Sequence, residues 1–288
     1  MTDTDRKIKD ETPPTLNAGI LGIRLDYWIP IIFAYCIAAQ LFLILCDYLF
    51  NYLNLFHDIN VRRIWDMARE KSFPTWFSSL QAHALALTVF LIAMVQSHHI
   101  TRFQKYMWVL IGLFFLWIGI DDFAEIHERL GTAIEHIAED YTGKGASILH
   151  LFLKNPSYNW HTFMMPIFAF CGLGITVFLW KKFKQFNLFR YLFLGFSCWA
   201  ISQCLDYIEG LYVENIPYVV SFYEGFQETF AIKHEYGVTH FFKVLEEELE
   251  MFGTTLLWIG FLKYFARIAH GLKIHLLGMN IPDPKKGA

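Results

Sequence analysis

Four short stretches of this chain carry side chains able to do acid–base or metal chemistry. "DDFAEIHE" sets Asp121, Asp122, Glu125, His127 and Glu128 within eight residues, and "LDYIEG" carries Asp206 and Glu209. "HFFKVLEEELE" brings His240, Lys243, Glu246, Glu247, Glu248 and Glu250, while "YNWHTF" supplies His161 beside Trp160. Carboxylates with one or two imidazoles form a donor set for Zn, Mn or Fe, whereas carboxylates alone favour Ca or Mg. A metal so held activates water or oxygen. We therefore take Asp121, His127, Glu128, His161, Asp206, Glu247 and Glu250 as candidate metal ligands. The expected cofactor is a divalent metal ion, Zn, Mn or Fe ahead of Ca or Mg.

Helical spacing decides which of these side chains converge. Asp121, Glu125 and Glu128 fall at i, i+4 and i+7, as do Ser202, Asp206 and Glu209, and Lys243, Glu247, Glu250 and Thr254 make a third stripe. Two carboxylates ~4 Å apart repel by roughly 4 kcal/mol at an effective dielectric of 20, so a converging set is relieved by protonation, by pairing or by a metal. Plainer readings exist for some members. Glu246 and Glu248 suit an ordinary solvated first helical turn, where acids also face the positive end of the helix dipole. His83, alone in "SSLQAHALALTVF", suits a hydrogen-bonded packing histidine.

The elements that position these groups are membrane helices. The chain has 288 residues, of which 55% are hydrophobic and 18% aromatic, with a mean hydropathy of +0.33. That exceeds the roughly 45–50% apolar content of soluble domains. Six apolar runs approach the ~20 residues needed to cross ~30 Å of hydrocarbon. They lie near 27–50, 76–97, 105–124, 157–180, 191–212 and 241–266. The expected fold is an all-α polytopic membrane bundle of six transmembrane helices with short interfacial helices. One interfacial helix is expected in "NLFHDINVRRIWDMAREKSFPTW", stopped by Pro74, and another in 129–156, ahead of a turn at "TGKG". Residues 1–26 read as a polar cytoplasmic segment, 27–268 as the membrane domain and 269–288 as a cytoplasmic tail. Pro13-Pro14 and Pro282-Pro284 mark flexible ends.

With this connectivity the polar clusters all fall at one end of the bundle, on the ends of helices three and five and the starts of helices four and six. Lys and Arg are more numerous in the segments on the other side, which places both termini in the cytoplasm and the polar site on the outer side of the cell membrane. The first 25 residues hold no apolar h-region, so the first apolar segment is expected to remain as an anchor.

Several function classes drop out. A net charge of −3 with dispersed basic residues offers no face for nucleic acid. The five cysteines form no CxxC pair and sit in apolar stretches, as packing residues. His127-Glu128 is followed by Arg-Leu-Gly and not by the rest of HExxH, and neither a phosphate-binding Gly-Lys loop nor GxSxG is present.

The segments "DDFAEIHERLG" and "LEEELEMFG", with "FPTWFSSLQ" earlier, resemble a group of uncharacterised bacterial multi-pass membrane proteins across about residues 55 to 265. In that group D-[DE]-x4-H-E ends one helix and E-E-x2-E-M-x-G opens the last, which here correspond to Asp121, Asp122, His127, Glu128, Glu246, Glu247 and Glu250. The resemblance carries no activity with it. Three functions stay open: a metal-dependent membrane enzyme acting on a lipid-phase substrate, a proton or cation transporter or relay, and a non-catalytic subunit or scaffold. Expected partners are membrane lipid and either a membrane-protein partner or a second copy. A relay needs polar residues down the whole bundle, and below Thr254 and Thr255 the helices turn apolar.

Overall fold

A computed structural model describes residues 19–23, 25–97, 100–140, 157–162, 164–232, 235–269 and 272–276. Nearly all of them are helical. In chain order they form β1 (Gly19–Ile23), α1 (Leu25–Asp47) with a wide π-type turn at Tyr48–Tyr52, α2 (Ile59–Trp65), α3 (Phe73–Gln96), α4 (Arg102–Ala124) and α5 (Ile126–Asp140). A 3-10 turn at Asn159–Thr162 follows, then α6 (Met164–Gln185), α7 (Phe189–Val213), α8 (Pro217–Thr229), α9 (Glu235–Ile268) and β2 (Leu272–Leu276). The expected "TGKG" turn and both proline-marked ends lie outside the described residues.

Helix boundaries follow local chemistry. Ser72 Oγ accepts from Thr75 N and Thr101 Oγ1 accepts from Gln104 N, each satisfying an orphan donor in a first helical turn. Pro74 does not stop the interfacial helix, as its sequence context suggested. It occupies the first turn of α3, where no amide donor is needed. The interfacial helix α2 has already ended at Trp65, and Asp66 Oδ1 then accepts from Ala68 N to turn the chain.

Among the described residues, four helical segments are long and apolar enough to cross a bilayer: Leu25–Tyr52, Phe73–Gln96, Arg102–Ala124 and Met164–Gln185. They mark the chain as a membrane protein. The other two expected spans, α7 and α9, do not reach that apolarity, because they carry Ser202, Gln203, Asp206, Glu209 and the acids of "EEELE". Burial runs opposite to that of a soluble bundle. In α6 only 11% of the apolar window is buried, and Phe170, Leu173 and Val177 stand outward where lipid would meet them.

The helix α9 runs through the middle of the bundle, packed along α7, α3 and α1, while α3 also pairs with α4. Leu85, Val89, Phe115, Leu257 and Phe261 fill the core between them. Gln40 Nε2 and Gln81 Nε2 both donate to Thr255 Oγ1, at 2.9 and 2.8 Å, tying α1 and α3 to α9. Two features have no signal in the apolar-run pattern. The helix α8 packs Val219 and Tyr223 against Leu211 and Val238, and β1 pairs antiparallel with β2, Gly19 opposite Leu276. That pair brings the segments before α1 and after α9 together at one end.

Close approach of α7 to α9 depends on two glycines. A Cβ on Gly253 would lie 2.8 Å from the carbonyl oxygen of Gly195, and one on Gly195 would lie 2.6 Å from Leu257 Cγ. The first obstacle is backbone and cannot rotate away. Gly253→Ala is expected to destabilise the bundle by about 1–3 kcal/mol, as overpacking does. Thermal unfolding in detergent reads this as a lowered midpoint, and an unchanged midpoint would show that the two helices separate at no cost.

Candidate functional site

The polar groups gather where α4 and α7 end and α3 and α9 begin. The helix α4 stops at Ala124 because Glu125 adopts φ 54°, ψ 39°, a left-handed conformation uncommon for a residue with a Cβ. Asp121, Glu125 and Glu128 therefore do not form the single stripe that continuous helical spacing would give. The chain bends between them and restarts as α5. Asp121 fixes the bend: its Oδ1 accepts from His127 N at 2.9 Å, and its Oδ2 pairs with His127 Nδ1 at 2.8 Å. Lys71 at 2.9 Å and Arg129 at 3.2 Å hold Glu125. The hydrogen bond from Lys71 lowers the Glu125 pKa against the opposing effect of burial, with Arg129 adding to it. Burial alone would lower the His127 pKa, but the hydrogen bond to Asp121 and its charge leave it raised.

Below the bend lies a cavity of ≈ 110 Å³, lined by nine carboxylates together with Lys243 and His127. It has room for several waters or an ion. Six of the seven candidate ligands line it: Asp121, His127, Glu128, Asp206, Glu247 and Glu250. His161 stands behind the wall. It is carried by the Asn159–Thr162 turn and not by a membrane helix, as its place in the fourth apolar run implied. Its ring stacks on Trp160 at 4.0 Å, and its Nε2 lies 3.1 Å from Asp206 Oδ2. This histidine orients Asp206. A second, outer cavity of ≈ 410 Å³ shares Glu70, Glu128, Trp160, Asp206 and Lys243 with the first and adds Glu135, Glu209 and Glu214.

Lys243 reaches into the acids of the inner cavity. Its Nζ is 2.8 Å from Glu246, 3.4 Å from Asp206, 3.8 Å from Glu209 and 3.9 Å from Glu247. Glu250 is fixed differently, its Oε1 accepting from Ser202 Oγ at 2.8 Å and Gln203 Nε2 at 3.0 Å. Spacing close enough for a shared metal occurs among the described residues in Asp206, Glu209 and Glu246, whose ligand atoms lie within 4.8 Å of one another. Of the seven candidates only Asp206 belongs to such a set. The other five line the same space but fall in no such set of three.

Asp47, Asp66 and His240 form a second close set. His240 Nε2 lies 2.8 Å from Asp47 Oδ2, and its other ring nitrogen faces Asp66 Oδ1 at 3.8 Å. Opposite ring nitrogens address opposite carboxylates, the arrangement of a clamp. Asp47 Oδ1 also accepts from Met67 N and Asn51 Nδ2, so the clamp joins the end of α1, the turn after α2 and the start of α9.

Sequence reasoning passed over Glu70, Asp122 and Glu246 as cavity members and the whole Asp47–Asp66–His240 set. Glu246 is only 4% exposed, far from a solvated first turn. One signal was available: Asp47 interrupts the apolar run "LILCDYLF", and an acid at that depth asks for a partner. His83 is a packing residue as its context suggested, its Nδ1 donating to Ser79 O at 2.7 Å.

The chain matches the family described as Domain of unknown function (DUF8692) over residues 31–265. It belongs to that family. The match takes in every cavity residue and the clamp. No curated protein and no solved structure matches the chain.

Glu70 gives the site a pH dependence outside the membrane helices. Burial first, and then the charge of Glu128, push its pKa up to about 7, with Lys243 pulling the other way. A carboxyl whose folded pKa is raised favours folding fully below its unfolded value of 4.5, and that contribution is lost as pH rises through about 7. The melting midpoint is expected to fall between about pH 5 and 8, and Glu70→Gln to flatten the fall. The ceiling is about 3 kcal/mol, reduced by whatever solvent reaches the group. Parallel pH profiles for both proteins would remove Glu70 as the cause.

Proposed function

We propose that the protein is a six-pass membrane protein whose inner cavity binds a divalent cation and uses it on a substrate drawn from the lipid phase. The observation that carries this reading is the crowding of carboxyl groups: nine line one small cavity against Lys243 and His127. Acids at that density in a partly desolvated space are relieved by a cation. Asp206, Glu246, Glu247 and Glu250 are the residues that would hold it. A bound metal would supply a water of lowered pKa as nucleophile. The chain's own part is positioning: Ser202 and Gln203 aim Glu250, and His161 aims Asp206. Both imidazoles near the cavity are engaged with aspartates, so the donors on offer are mainly oxygen. That favours Mn, Mg or Ca over Zn, a shift from the preference drawn from residue types alone.

Two further features support the enzyme reading. The helix α5 borders the outer cavity with Gly131, Thr132 and Glu135 while Leu130 and Ile137 face outward, so an amphiphile at the interface meets the cavity mouth there. On the inner side Leu85, Phe115, Leu257 and Phe261 close the bundle, each no more than 1% exposed. A blind cavity suits binding and turnover better than conduction.

The Lys and Arg distribution supports both termini in the cytoplasm and the cavity on the outer face, and the β1–β2 pair, which joins the segments before α1 and after α9, supports both ends lying on one side. An impermeant reagent applied to sealed cells should leave tags at either terminus unlabelled. Labelling of either tag would reverse the assignment.

The cation is tested by metal analysis of the purified protein and by thermal unfolding with chelator or added Mn, Mg, Ca or Zn. Metal at a hundredfold excess over Kd should stabilise by about 2.7 kcal/mol. Glu250→Gln should abolish most of that gain. Identical melting with chelator and with every metal would remove the metal and leave the scaffold reading.

A further inference from the structure

The end of the bundle opposite the cavity carries the reverse charge. The stretches 94–108, 178–196 and 258–269 hold eight Lys and Arg and no Asp or Glu. They meet there through rings: Trp108 packs against Phe178 and Tyr264, and Phe183 stacks on Tyr264 with centroids 5.2 Å apart. Four of the cations lie on aromatic faces, Lys182 over Trp108, Lys184 over Trp180, and both Arg190 and Lys263 over Tyr191. Among the described residues the ion pairs of Lys and Arg belong to Lys71, Arg129 and Lys243, all at the cavity end, and these four have none. A ring face attracts a cation but leaves its charge unmet.

Tyr191 is the centre of this group. Lys263 Nζ donates to its hydroxyl at 2.6 Å and stands 4.6 Å from its ring centroid, and the Arg190 guanidinium carbon stands 5.1 Å from the same centroid. One ring therefore holds two like charges within 10 Å of each other. Basic residues that only orient a chain in the membrane need no such fixed geometry. The surface just below is apolar. Phe193 and Leu194 follow Phe189 and Arg190 by one helical turn on α7 and are exposed, as is Trp180, which packs on Phe189 from α6 at 4.2 Å. A soluble anion would meet the charge and leave this surface bare, whereas an anionic lipid meets both.

We propose that Arg190, Tyr191 and Lys263, with Lys184 beside them, bind the phosphate headgroup of an anionic glycerophospholipid whose acyl chains lie along Trp180, Phe193 and Leu194. The Arg190 guanidinium suits a phosphate, which it can grip through two N–H groups, and basic clusters between membrane helices hold anionic headgroups in this way. The site is independent of the cavity: Lys263 stands thirteen residues beyond Glu250 on α9, ~20 Å along its axis.

The site is tested by native mass spectrometry of the full chain in detergent with equal amounts of phosphatidylglycerol and phosphatidylcholine of identical acyl chains. Wild type should retain phosphatidylglycerol in preference. Arg190→Gln and Lys263→Gln should each lower that preference about fivefold, the ~1 kcal/mol of one surface cation on an anionic lipid, and together should remove it. Lys105→Gln removes an exposed charge at the same end that lies on no ring, and should leave the preference unchanged. Equal retention of the two lipids by wild type, or a loss with Lys105→Gln as large as with Arg190→Gln, overturns the proposal. Excess inorganic phosphate should not displace the lipid; displacement would assign the group to a soluble anion and overturn the lipid. Should Lys263→Gln fail to fold, Arg190→Gln decides, because Arg190 is exposed and its loss opens no packed interior.

Discussion

Carboxylates packed into one end of a hydrophobic bundle cannot all carry charge without a cation among them, and Lys243 is the group that meets this constraint first. Four acids from α7 and α9 point at its nitrogen. Two helices can present acids to one ammonium only if their backbones run close, and Gly195 and Gly253 allow that approach just below. The chain elsewhere in this region is bent to the same end. Glu125 accepts a left-handed backbone so that α5 can fold back over the cavity, and Asp121 spends both carboxylate oxygens on His127 to hold it there.

The apolar and polar halves of the molecule divide the work between helices. The segments Leu25–Tyr52, Phe73–Gln96, Arg102–Ala124 and Met164–Gln185 are hydrophobic on nearly all sides and can meet lipid directly. The helices α7 and α9 are less apolar because one stripe of each is given to the cavity. Such helices are tolerable in a membrane only when that stripe faces protein. The position of α9 among α1, α3 and α7 supplies this cover. Along its length the same helix changes task, from acids at Glu246 to Glu250, through the hydroxyl of Thr255 that receives two glutamines, to Leu257 and Phe261 in the dry core.

What was legible in the sequence follows from the range of each signal. Apolar runs report burial in lipid and located the main helices to within a few residues, except that the run at 157–180 begins with the 3-10 turn and α6 starts only at Met164. Helix parity placed the acids of α4, α7 and α9 at one end, and six of the seven candidate residues do line one cavity there. Periodicity failed where the chain leaves the helix. Nothing in "DDFAEIHE" states that Glu125 turns left-handed, since one of the two cations that hold its side chain, Lys71, is distant in sequence. The pairing of Asp47 with His240 joins residues 193 positions apart, and no local pattern encodes it. Glu246 looked solvated because composition cannot show that Lys243 and α7 cover it.

The two acid sets that meet α9, at His240 and at Lys243, stand one turn apart and differ in how far their charges are met. At His240 each carboxylate is accounted for: Asp47 takes a ring nitrogen, a backbone amide and Asn51, and Asp66 caps the turn at Ala68. A network so satisfied rigidifies what it joins. It fixes the start of α9, and therefore the axial position of the next turn, where Lys243 stands three residues on. There the balance is reversed, with more carboxylate than the ammonium can neutralise and a second cavity open beside it. A satisfied set gains little by taking in an ion, because binding must first break bonds that are already good. An oversupplied set gains by it. The clamp is thus the foundation: it holds the start of α9 still and so fixes the position from which the next turn presents its acids to Lys243.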